Sequence, residues 1–177
     1  MSTKPGQVQR ETGPTIVVIV RCTASLLKRL RQPLADSEST GALGDWYAKV
    51  VCTRPRVLVL CVNARSLLSV VVPLAPTASF LDRFGVAARR RIGQIEAAPE
   101  RREIELEALA SLGVARTRDR SVLSSMNHFT YAASTWLQEQ PDGDLEELGH
   151  WLCDTPCFPL RTTWPWTEAR SLLGGPV

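Results

Sequence analysis

No apolar run in this 177-residue chain approaches the roughly 20 residues that a helix needs to cross a bilayer. Thr15 to Val20 is the nearest thing to one, and its β-branched residues suit a short strand instead. The opening Met1-Ser-Thr-Lys-Pro-Gly-Gln lacks the apolar stretch of a secretory signal. Together these absences point to a cytoplasmic protein that meets no membrane. There are only two histidines, His128 and His150, so acid–base chemistry has few candidates beyond Asp45. A phosphate-binding Walker loop, a GxGxxG turn, an HExxH metal motif and a nucleophile elbow are all missing. No internal repeat or low-complexity tract is present, and no cofactor is called for.

Cysteine is sparse and odd in number: Cys22, Cys52, Cys61, Cys153 and Cys157. Cys52 and Cys61 sit inside strand-like runs, where free cysteine behaves as a small hydrophobe. Cys153 and Cys157 are spaced C-x3-C near His150, a thin basis for zinc. Buried reduced thiols and no metal are therefore expected, in keeping with a reducing compartment.

What the chain does have is enough length for one domain with a real core, 44% hydrophobic residues and 22% charged ones. Residues 1–14 read as a flexible tail and 15–175 as a single domain. Its net charge of +3 is unevenly distributed. Residues 1–120 hold 19 Lys and Arg against 11 Asp and Glu, whereas residues 121–177 hold 2 against 7. A basic part dominated by arginine suits bidentate contacts to phosphate or carboxylate.

Periodicity gives an α+β fold: a mainly antiparallel sheet of about five strands, with helices packed mostly on one face. Thr15–Cys22 is a strand, followed by a short helix through Leu26, Leu27 and Leu30. Asp45–Thr53, Arg56–Asn63 and Leu67–Pro73 form a meander, because their separators are short. Trp46 and Tyr47 point to opposite faces, so one of them is expected outside the core. Helices follow at 78–96, with Phe80, Phe84, Ala87 or Ala88 and Ile92 inward, and at Pro99–Leu112, with Ile104, Leu106, Ala108 and Leu109 inward and Gly113 as its C-cap.

The densest chemistry lies in residues 116–129. Arg116, Arg118 and Arg120 alternate as in a strand, expected at 115–119 and paired with 15–22 near the sheet centre. Val122, Met126, Phe129, Ala133, Trp136 and Leu137 then recur at helical spacing. Asp119 or Ser121 is placed to cap that helix, and Ser121, Ser124, Ser125 and His128 form a small polar stripe. Leu145–Leu152 and Trp164–Leu173 give two more helices, with an extended stretch over 155–160 between them.

Several of these pieces taken together resemble a known family. Arg21-Cys-Thr-Ala-Ser-Leu-Leu-Lys28, Leu43-Gly-Asp-Trp-Tyr-Ala48, Asp119-Arg-Ser-Val-Leu-Ser-Ser-Met-Asn127 and Asp154-Thr-Pro156 occur in order. The set resembles small uncharacterised bacterial proteins carrying CT-x-x-LLK, LGDWYA, NRSVLGSMND and TP segments. Asp119, Ser124 and His128 stand where that pattern has asparagine, glycine and an acidic residue.

The resulting expectation is a non-catalytic binding or regulatory module of bacterial, mobile-element or toxin–antitoxin-like origin, contacting nucleic acid or a protein partner. Arg83, Arg89, Arg90, Arg91, Arg116, Arg118 and Arg120 are its candidate anion-binding residues. The alternative is a small nuclease or transferase acting on a phosphate-containing substrate. In it Asp45 is the acid–base group, Arg120 the phosphate clamp, and Ser121 and Asn127 the positioners. The enzyme reading expects Asp45 and Arg120 within ion-pair reach, with Trp46 beside them. Oligomeric state is not legible.

Overall fold

A computed structural model describes residues 17–52 and 55–176; the expected tail over 1–14 and the start of the first strand lie outside the described residues. The fold is α+β. Strands β1 (Val18–Cys22), β2 (Trp46–Cys52), β3 (Val57–Asn63), β4 (Ser69–Pro73) and β5 (Leu112–Arg116) form one sheet in the order β4-β3-β2-β1-β5. β2, β3 and β4 make the expected antiparallel meander, while β1 pairs in parallel with both β2 and β5.

Four of the six helices, α1 (Ala24–Leu30), α2 (Phe80–Gly93), α3 (Pro99–Ala108) and α6 (Pro165–Leu172), cover one face. The apolar stripe of α4 (Arg120–Glu139) falls on the six positions expected of it and covers β2 to β4 on the other face, joined by α5 (Leu145–Cys153). No helix among the described residues is long and apolar enough to cross a membrane.

Because both faces are covered, Trp46 and Tyr47 are both interior, at 1% and 2% exposure. Trp46 packs edge-on against Phe84 at 5.4 Å, and Tyr47 joins the α4 core. The expectation that one of them lies outside is corrected: it assumed a sheet with one solvated face.

The 99–112 helix also needs correction. α3 stops at Ala108, and Leu112 and Gly113 belong to β5. Gly113 serves close packing there, since a Cβ would meet Ile19 Cδ1 at 2.8 Å and Ala35 Cβ at 3.3 Å. Ile104, expected inward, is 45% exposed, and Glu105 turns in instead at 2%. β5 is an edge strand, not a central one. Residues 155–160, expected to be extended, form turns.

Neither α4 nor α5 covers β1 and β5. The segment 31–42 crosses that face as a strap, launched by Arg31 in the left-handed region at φ 52°. Ala35 N–H bonds Val114 O, on the outer edge of β5. Ser39 Oγ and Thr40 Oγ1 accept the backbone N–H groups of Ile19 and Val17, where β2 has not yet begun. The strap ends on Glu105, whose carboxylate accepts Leu43 N–H at 3.1 Å in a space that a Cβ at Gly41 would fill.

Candidate functional site

β1 carries one charged residue, Arg21, on the face that the strap covers. Next to β1 the register sets Tyr47 of β2 on one side of Arg21 and Ala115 of β5 on the other. A guanidinium held in a sheet requires partners, because an unpaired buried charge is costly. Asp45, immediately before β2, supplies one: its carboxylate pairs with Arg21 Nε, both side chains being under 9% exposed. Arg21 also donates to Arg116 O at 3.1 Å and Ser37 O at 3.4 Å, tying strap, β1 and β5 together.

Asp45 has two further contacts. Ser39 N–H donates to Oδ1 at 2.8 Å, and Arg118 Nη2 lies 3.6 Å from Oδ2. Burial pushes the Asp45 carboxyl up, but the hydrogen bonds from Ser39 and Arg21 and the Arg21 charge outweigh it and hold the group below its ordinary value. Arg118 reaches outward to Glu38 Oε1 at 2.6 Å, which raises its own affinity for its proton.

The first turn of α4 closes the corner. Asp119 Oδ1 caps it by accepting Ser121 N–H at 2.8 Å and Val122 N–H at 3.4 Å, while Asp119 N–H donates to Tyr47 Oη at 3.2 Å. Arg116 and Arg120 flank this cap, exposed and without an ion pair among the described residues. Two open clefts flank the Arg118 side chain. One, of about 520 Å³, lies between the strap and the end of β5; the other, of about 310 Å³, is lined by Asp45, Tyr47, Arg65 and Asp119.

The expected constellation is therefore assembled from different residues. Asp45 meets Arg21 and Arg118; Arg120 is not among its partners. The reason is a change of period: the strand ends at Arg116 and α4 begins at Arg120, so the three arginines do not share one strand face. Trp46 points into the opposite core and Tyr47 borders the site. Ser121 is exposed and contributes its backbone to the cap, and Asn127 is exposed and accepts Lys49 Nζ at 2.6 Å. Asn63 is fully buried and structural, holding Leu43 O and the turn at Arg65 and Ser66.

The α2 arginines do not extend the corner. Arg83 folds back onto Pro73 O, Leu74 O and Pro76 O, and Arg90 pairs with Glu146. Arg91 is 3% exposed and stacks over Trp166. Arg89 alone of the four is exposed and unpaired among the described residues. Among those residues, too, no cluster of His, Cys, Asp and Glu is placed to hold a metal ion. Cys153 Sγ instead contacts the backbone of Ser69.

Sequence reasoning overlooked Arg21 as a site residue. The signal was there: an arginine inside the strand Val18-Ile-Val-Arg-Cys22 has to be buried with a partner.

An α+β domain with a charged corner where three strands and a helix N-terminus meet is thus the class that this geometry defines. The chain belongs to the family described as a domain of unknown function, DUF6933, whose model matches residues 19–168. The match takes in the strap, the corner and all but the last turn of α6. No curated protein matches the sequence.

Proposed function

We infer that the chain is a non-catalytic binding module whose contact surface is the Arg116–Arg120 corner. The observation that carries this reading is the state of Asp45. Its carboxylate is buried, paired with Arg21, within reach of Arg118 and held below its ordinary value, so it is a poor proton acceptor near neutral pH. The exposed arginines Arg116 and Arg120, beside the N-terminus of a 20-residue helix, remain free to meet an outside anion.

The partner favoured here is a protein presenting carboxylates. A nucleic-acid backbone calls for an uncompensated basic stripe, yet Asp36, Glu38 and Asp119 intersperse this corner, and Arg83, Arg90 and Arg91 are engaged elsewhere. A mixed surface of this kind discriminates among partners by matching charge to charge.

The test is fluorescence anisotropy at about 50 mM salt with two probes, an acidic peptide and a DNA duplex. The acidic peptide is expected to bind, and Arg116→Ala with Arg120→Ala to weaken it by about tenfold while leaving the melting temperature unchanged. Peptide binding that ignores both substitutions would move the contact surface elsewhere. Duplex binding that falls off steeply with salt would replace the protein partner by nucleic acid.

A further inference from the structure

The opposite edge of the sheet, β4, carries a second surface. An edge strand exposes backbone groups that pair with other chains unless they are covered. Leu74 N–H bonds Val57 O and Asn63 N–H bonds Leu68 O. The alternation of an antiparallel pair then turns the backbone groups of Ser69, Val71 and Pro73 away from β3.

Two of these three are answered from outside the sheet. Ser69 N–H meets Cys153 Sγ at 3.2 Å, and Pro73 O accepts Arg83 Nε at 3.1 Å. Between them, the N–H and C=O of Val71 have no partner among the described residues, although the residue is only 6% exposed. Backbone groups left open on a sheet edge are the template on which an added strand pairs.

That gap opens on a cleft of about 370 Å³ between β4, α2 and α5. Its apolar wall is Val70, Val71 and Val72 with Val86, Ala87 and Leu145. Its charged residues are Asp82 and Glu146 against Arg83, Arg90 and Arg91, which leaves one cation in excess. Arg91 makes the excess specific. Its acceptors are Glu146 O, Gln94 Oε1 and His150 Nδ1, none of them a carboxylate, and its Nε is buried without a partner.

We propose that this cleft receives an extended peptide segment ending in a free C-terminal carboxylate. The segment adds to β4 through a pair of backbone hydrogen bonds at Val71, the mode by which exposed sheet edges capture peptides. Its small apolar side chains fill the valine-lined wall, and its carboxylate offsets the Arg90–Arg91 side. The stretch from Ser69 to Pro73 runs roughly 13 Å at about 3.3 Å per residue, which limits the segment to a few residues.

The experiment uses the full chain, 15N-labelled, with acetyl-Ser-Val-Val-Val bearing a free carboxylate, the same peptide as its C-terminal amide, and octanoate. The free-acid peptide is expected to slow hydrogen exchange of the Val71 amide by about tenfold or more. The amide form should bind about tenfold more weakly, since charge-assisted contacts are the strong ones. Val86→Glu, at a position 64% exposed and so tolerant of change, should weaken the peptide similarly. Val71→Pro should abolish binding while the chain stays folded, because proline is accepted where an edge N–H faces outward. The proposal is overturned if millimolar peptide leaves Val71 exchange unchanged. It is equally overturned if octanoate and peptide bind alike without protecting that amide, which would make the cleft a small-molecule site.

Discussion

The Arg21 guanidinium and the Asp45 carboxylate pair across the β1–β2 boundary beneath the strap, with side chains 7% and 8% exposed. Removing one member of such a pair strands the other charge, a loss of about 3–5 kcal/mol in comparable cases. Asp45→Asn keeps the shape and part of the hydrogen bonding, so about 3 kcal/mol is expected from urea melts at pH 7. The pH dependence follows from the lowered carboxyl. A group with a depressed folded value stabilises above its unfolded value, near 3.8, and loses that contribution as pH falls through the folded one. The gap between wild type and Asp45→Asn should therefore narrow below about pH 4.

Glu105 behaves in the opposite sense. Burial pushes its carboxyl above the ordinary value, against the Leu43 and Ala42 N–H groups and the Arg65 charge. A raised carboxyl favours the folded state when protonated, below the unfolded value near 4.5, and loses that contribution as pH rises through the folded one. Glu105→Gln retains an acceptor for Leu43 N–H without the buried charge. It is expected to be at least as stable as wild type at pH 7, with its advantage vanishing toward pH 4 in paired urea melts.

The difference between those two carboxylates marks where the sequence stops being legible. The α4 stripe was readable because six apolar residues at three- and four-residue spacing leave one way to bury them. The meander was readable because its connections are too short for a crossover. The strap was not, since 33–43 has loop composition and its role arises from pairing with β1 and β5, which no local pattern encodes. Gly113 illustrates the same limit: it looked like a helix stop, and only its approach to Ile19 shows that it is a packing residue. At the corner, Asp45 and Arg118 were legible as chemistry but their partner Arg21 was hidden in an apolar run.

Gly113 offers a direct test of that packing. A Cβ there would meet Ile19 Cδ1 at 2.8 Å, so Gly113→Ala should cost about 1–3 kcal/mol through overpacking. Ile19→Val removes the atom in the way. The double variant should be more stable than the sum of the two single losses predicts, because contacting residues couple. Additive losses in thermal melts would mean that the β1–β5 packing yields elsewhere.

The thiols of Cys22, Cys61, Cys153 and Cys157 should be inert while the chain is folded. Burial pushes Cys22 and Cys153 up to about 12 and Cys157 to about 11, and Cys61 is raised as well. The thiolate is the reactive form, so at pH 8 these four groups present little of it. Ellman's reagent is expected to modify them only at the rate of unfolding, and all of them promptly in denaturant. Rapid reaction of more than one thiol in the native chain would contradict their burial.

The N-terminus of α4 separates residues that hold the fold from residues that meet a partner. Asp119 Oδ1 accepts two backbone N–H groups, so Asp119→Ala should cost about 1 kcal/mol, the usual loss for a cap. Ser121 lends only its backbone to that cap; its exposed side chain makes Ser121→Ala neutral within about 0.5 kcal/mol. Asn127→Ala removes an exposed bond to Lys49 and should be equally mild. Arg120→Ala should leave stability untouched but weaken the acidic peptide, since nothing inside the chain holds its side chain among the described residues. Measuring unfolding and peptide anisotropy on these four variants distinguishes the roles. If Ser121→Ala proves as costly as Asp119→Ala, the cap is shared between the two. If Arg120→Ala loses stability in step with binding, the corner is a folding feature and the partner binds elsewhere.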